Sequence, residues 1–172
     1  MEPAEFLNEL KTRIGGDIVD ETRHGASMHD ERGLPHLALT YRDISVKIDF
    51  IIKEELMFTL YATPPRYLVI KAWNLFERML SMIPFMGPCK FPVGNEQRFF
   101  LAGIGEEDAK SYFTATRAAK ITALFPFVEI EQKERVYRCL KGVDISCDYT
   151  PDQAVKDLNL LVDFVELTRV KQ

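Results

Sequence analysis

The sequence is poor in features that would bind a small protein together from outside its core. Its 172 residues hold three cysteines, Cys89, Cys139 and Cys147. The number is odd and no C-x-x-C pair occurs, which argues against a disulfide framework and fits a reducing compartment. Each thiol reads as a small buried hydrophobe. No apolar run approaches the roughly 20 residues needed to span a bilayer. The opening MEPAEFLNEL carries Glu2 and Glu5 and no uninterrupted apolar stretch, so it does not read as a secretory signal. The expectation is a cytoplasmic chain with no membrane contact.

Basic runs are also missing. The formal net charge is −4, and clustered Lys and Arg against phosphate are what nonspecific nucleic-acid binding requires. No nucleic-acid partner is expected. The aromatics Phe99, Phe100, Tyr112, Phe113, Phe125 and Phe127 crowd the second half, but their neighbours Glu106, Glu107 and Asp108 are acidic, so they read as core rather than as a stacking platform.

Short catalytic signatures are equally scarce. There is no G-x-S-x-G elbow and no H-E-x-x-H helix. GIGEEDAK, residues 103–110, places a Gly-x-Gly between a strand and a helix. Asp108 stands where a third fingerprint glycine would be, and the acids at the helix start would repel a phosphate. Adjacent carboxylates such as Glu54-Glu55 and Glu106-Glu107 fall on different faces, which does not suggest a glycosidase dyad. No catalytic residue is assigned.

The chain does have hydrophobic content, at 47%, enough for one domain of this length to bury a core without staples. Phe6, Leu7, Leu10 and Ile14 recur at helical spacing, with Pro3 in the first turn and Gly15-Gly16 as a stop. Asp17–Arg23 is a strand candidate, and Leu37, Leu39 and Tyr41 alternate as a second. Ile44, Val46, Ile48 and Phe50 alternate most clearly of all. Leu56–Ala62 and Tyr67–Ala72 add two more, separated by Pro64-Pro65. Short connections of this kind favour an antiparallel meander.

Asn74 caps a predicted middle helix over Leu75–Ile83, which Pro84 ends. Arg98–Ala102 reads as a strand, and 106–124 as a helix broken near Thr114. Phe127–Gln132 and Arg135–Lys141 form a predicted hairpin, and Val143–Asp148 a further strand. Thr150, Pro151 and Gln153 open a long final helix with a capping box. Its stripe of Ala154, Leu158, Leu161, Val162 and Val165 is widened by Leu160, Phe164 and Leu167, enough to touch more than one surface.

The expected fold is therefore α+β: one or two antiparallel sheets packed by an N-terminal, a middle and a long C-terminal helix. A single domain over 1–172 is expected, with a sub-boundary near 84–96.

Two segments invite a functional reading. RHGASMHDERGLPH, residues 23–36, contains every histidine: His24, His29 and His36. Their spacing matches no usual zinc pattern. If strands on either side pair, His24 and His36 approach each other, with His29 folding back between them. PFMGPCKFPVG, residues 84–94, has three prolines and two glycines yet carries Phe85, Met86, Phe91 and Val93. A loop this apolar either tucks onto the core or faces a partner.

The function expected first is a non-enzymatic binding or assembly module, adaptor- or chaperone-like. Its partner is another protein or a second copy of the chain, and its contact residues are Phe85, Met86, Phe91, Val93, Phe164 and Leu167. It needs no cofactor. One alternative is a binder of an apolar small molecule or peptide. The other is an enzyme that holds a divalent metal such as zinc on His24, His29 and His36.

Overall fold

The computed structural model describes residues 1–19, 35–72 and 99–169, together with the backbone of 89–90. The predicted middle helix and the 84–94 loop fall outside the described residues, apart from the backbone of residues 89–90. What is described is α+β, with four helices and one antiparallel sheet.

Helix α1 (Pro3–Ile14) starts where expected. Pro3 lies in its first turn, and Glu2 and Glu5 exchange side-chain-to-backbone hydrogen bonds as a reciprocal capping box. Phe6, Leu7 and Leu10 are buried. A meander follows: β1 (Asp17–Val19), β2 (His36–Tyr41), β3 (Ile44–Ile52) and β4 (Glu55–Tyr61). Arg42 and Asp43, with φ of 49° and 62°, make the two-residue turn between β2 and β3. Two positive φ values in sequence give the twist that paired strands favour.

Beyond Pro64-Pro65 the meander stops. The outer neighbour of β4 is β9 (Val136–Gly142), not β5 (Leu68–Ala72). With β6 (Cys89–Lys90), β7 (Phe99–Ala102) and β8 (Glu129–Lys133), the order is β1-β2-β3-β4-β9-β8-β5-β7-β6. The question of one sheet or two is thus decided at the β4–β9 ladder, which runs from Glu55↔Gly142 to Tyr61↔Val136.

The predicted break near Thr114 is present. Helix α2 (Glu106–Tyr112) ends at Phe113, and Thr114 caps α3 (Ala115–Ala123) by accepting a hydrogen bond from the Arg117 amide. A hydroxyl that competes for the amides of the next turn favours a new start over continuation. The last helix, α4 (Pro151–Thr168), is capped by Thr150, which accepts from the Gln153 amide at 3.3 Å.

The strand expected at Val143–Asp148 does not form. Val143 adds one rung, its amide donating to the Glu54 carbonyl at 2.8 Å. The Asp144 carbonyl then accepts the amides of Asp148 and Tyr149, and its carboxylate accepts the Ser146 amide at 3.0 Å. An aspartate that satisfies amides just ahead of it winds the chain into a turn. Cys147 lies in this turn and is exposed, so the expectation of a buried thiol fails there, while Cys139 is buried as expected.

Register divides the sheet into two faces. Ile48, Phe58, Cys139, Ile130, Ile70 and Leu101 share one cross-strand row and belong to a single core. All four described helices pack on this side, through residues such as Phe6, Tyr112, Ile121 and Leu158.

Candidate functional site

The covered face contains more polarity than its apolar pattern suggests. Lys141 and Asp157 are 2% and 1% exposed. The Lys141 ammonium donates to Asp157 Oδ2 at 2.5 Å and to the Leu124 carbonyl at 2.8 Å. The Tyr149 hydroxyl donates to the same Oδ2 at 2.7 Å, and Gln153 Nε2 to Oδ1 at 3.2 Å. Both carboxylate oxygens are therefore engaged, as a buried charge requires. Burial first, and then the Asp157 charge, push the Tyr149 hydroxyl well above its ordinary range. Burial likewise pushes the neighbouring Cys139 thiol up to about 12, so it is no nucleophile at neutral pH.

A second buried group sits where α2 and α4 meet the sheet. Tyr112 donates to Gln132 Oε1 at 2.9 Å, and Thr168 donates to the Tyr137 hydroxyl at 3.1 Å. Desolvation raises both phenols. Sequence reading missed these polar core positions, although their signal was present. Lys141 alternates in phase with Tyr137 and Cys139, and Asp157 falls three residues after Ala154 and four before Leu161 on the helix stripe.

The opposite face is different in kind. Across β2, β3, β4, β9 and β8 one row reads His36, Asp49, Met57, Leu140, Glu129. The next reads Ala38, Lys47, Thr59, Arg138, Glu131. Met57 and Leu140 are directly opposed and half-buried, with charges of both signs around them. Arg138 pairs with Glu131 at 3.5 Å, and Lys71 with Glu129 at 2.8 Å. No described helix lies on this face. Toward β1 the face forms an open hollow of about 480 Å³ lined by Asp17, Thr40, Ser45, Lys47 and Tyr61.

The residues singled out from sequence are distributed unevenly. His24, His29, Phe85, Met86, Phe91 and Val93 lie outside the described residues. His36 opens β2 on this second face, opposite Asp49, and is buried there. Among the described residues no group of three or more His, Cys, Asp or Glu side chains is placed to hold a metal. Phe164 is fully buried in the chain's own core, its ring edge-on to Tyr137 at 6.4 Å. Leu167 is 41% exposed. The wide stripe of α4 is thus largely used within the chain, against the sheet, α1 and α3.

No protein-family model matches the chain, and no curated protein matches it in sequence. Among the described residues no helix is long and apolar enough to cross a membrane. Among solved structures the chain is similar to the mycobacterial trehalose monomycolate transport factor A, TtfA, with a TM-score of 0.61 and 9% identity. The match covers 98% of this chain and 97% of that one. At that identity the likeness is one of fold.

Proposed function

We propose that the chain is a non-enzymatic binding and assembly module that acts in the cytoplasm by protein contact. The observation that carries this reading is the sheet face on which no described helix packs, where Met57 opposes Leu140 inside a surround of Asp49, Lys47, Arg138 and Glu129. An apolar centre with a charged rim is the usual anatomy of a protein interface. The described buried polar groups add support, because Lys141, Asp157, Tyr149 and Gln153 engage one another and hold helix to sheet. The free thiols Cys139 and Cys147 suit a reducing compartment.

Met57→Arg with Leu140→Glu tests the reading, since both positions lie outside the helix-covered core. Light scattering and affinity capture on the parent chain should detect self-association or a retained protein partner. The double variant should lose that association with its melting temperature unchanged. A parent that stays monomeric and retains no partner sinks the proposal, as does association indifferent to the substitutions. A second reading, binding of a small molecule, draws on the hollow beside Tyr61. Native mass spectrometry of the purified chain tests it by looking for a retained ligand.

A further inference from the structure

We infer that the end of the sheet around Glu55 docks an apolar segment of another protein that brings a lysine or arginine to this carboxylate. The inference rests on the reading that the second sheet face is an interface, and it names what that interface takes. Ile52, Glu55 and Gly142 follow one another across β3, β4 and β9 in one row, beside the row that holds Met57 and Leu140. A Cβ on Gly142 would meet Val128 Cγ2 at 3.9 Å, so the Val128 side chain closes the row just ahead of β8. Ile52 and Val128 are 54% and 45% exposed, and Ile51 is exposed beside them.

Both aliphatic side chains reach this face through a break in strand register. Phe50 pairs with Leu56 and Ile52 with Glu55, which leaves Ile51 as an extra residue in β3. The Val128 amide donates to the Leu140 carbonyl at 2.8 Å, although Glu129 is the register partner of Leu140. Two residues therefore stand against one at each end of the row, and such bulges re-aim side chains. Strict alternation from the buried Phe50 and Ile130 would send Ile52 and Val128 to the core side. Instead both face water, next to Met57 and Leu140. Apolar side chains gathered in this way mark a contact surface, where singly scattered ones would not.

The carboxylate within the row selects the occupant. Asp49 and Glu129, in the adjoining row, each have a lysine of the chain, Lys47 at 3.4 Å and Lys71 at 2.8 Å. Lys53, in the β3–β4 turn, is held by Glu2 at 2.7 Å. Glu55 is half-buried, and among the described residues it has no ion pair. Gly142 leaves one of its flanks without a side chain. A carboxylate set among aliphatic groups gains from a cation that arrives with an apolar surface, and the pairing fixes the register of the contact. A second copy docked symmetrically on the same patch would bring the same carboxylate and add repulsion instead.

Methyl-detected NMR titration of the full chain tests the inference with two synthetic peptides of alternating leucine and serine, one with a central lysine and one with a central glutamate. The lysine peptide should shift the Ile52 and Val128 methyl signals saturably. The glutamate peptide should bind about tenfold more weakly or worse, as loss of a charge-assisted contact does. Glu55→Lys should reverse that preference. Ile52→Ser with Val128→Ser should remove binding of the lysine peptide at an unchanged melting temperature. No saturable shift at these methyls, equal binding of the two peptides, or a preference that Glu55→Lys leaves in place would overturn the inference. So would self-association of the parent, read by light scattering, that Ile52→Ser with Val128→Ser abolishes, since it gives the patch to a second copy. Association that depends on Met57 and Leu140 but ignores the sign of the charge at Glu55 ends this inference and leaves the wider reading standing.

Discussion

Lys141 and Asp157 meet at 2.5 Å between β9 and α4, in a core where neither has more than 2% exposure. The pair ties the last strand of the sheet to its longest helix. Removing one partner strands the other charge in an apolar layer, which costs about 3–5 kcal/mol. Asp157→Ala is therefore expected to lower the urea midpoint far more than any surface charge substitution. Lys141→Met with Asp157→Leu should recover a good part of the loss. Recovery stays incomplete because Tyr149 and Gln153 lose their acceptor. Equilibrium unfolding of Lys141→Met, Asp157→Leu and the double variant gives the coupling directly; additive single effects would refute it.

Gly15 and Gly16 separate two kinds of glycine requirement. Both have positive φ, 77° and 99°. A Cβ on Gly15 meets nothing within 4 Å, whereas one on Gly16 would stand 2.6 Å from the Ala38 carbonyl oxygen and 2.8 Å from Leu39 Cβ. Gly15→Ala carries backbone strain alone, about 1–3 kcal/mol. Gly16→Ala adds overpacking against β2, about 1–3 kcal/mol more. Thermal unfolding should rank Gly16→Ala below Gly15→Ala, and the reverse order would contradict the close approach of the α1–β1 link to β2.

Stability should fall at alkaline pH. Burial pushes Cys139 up to about 12 and raises Tyr112, Tyr137 and Tyr149 above the ordinary phenol range. In the unfolded chain the thiol ionises near about 8.5 and the phenols near about 10. Between those values and the raised folded ones the native state holds more protons, so stability is lost as pH rises. It is fully present below the unfolded values. Urea midpoints should be level from about pH 7 to 8 and decline above about pH 8.5. Cys139→Ala should remove the earliest part of the decline. An identical profile in that variant would show that the thiol does not contribute.

Much of the fold was legible because its signals are local. Alternation over Ile44–Phe50 and Val136–Lys141, the helical stripe of α4, and the Thr114 and Thr150 caps each depend on residues within a few positions of one another. The Val143–Asp148 segment misled because its alternating apolar residues resemble a strand, while Asp144 satisfies the amides ahead of it and turns the chain. Phe164 and Leu167 looked alike as extensions of one stripe. Only the packing of α4 over Tyr137 separates the buried ring from the exposed leucine.

By itself the sequence determined the element types, the capped ends of the last two helices and which side of most strands would be apolar, since these follow from periodicity and short-range hydrogen bonding. Tertiary structure decided that β4 pairs with β9, that Lys141 finds Asp157 across 16 residues, and that one face of the sheet carries the helices. It also set Ile52, Glu55, Gly142 and Val128 in one row. Those outcomes depend on which distant surfaces close on each other, and no local pattern encodes a partner that lies far along the chain.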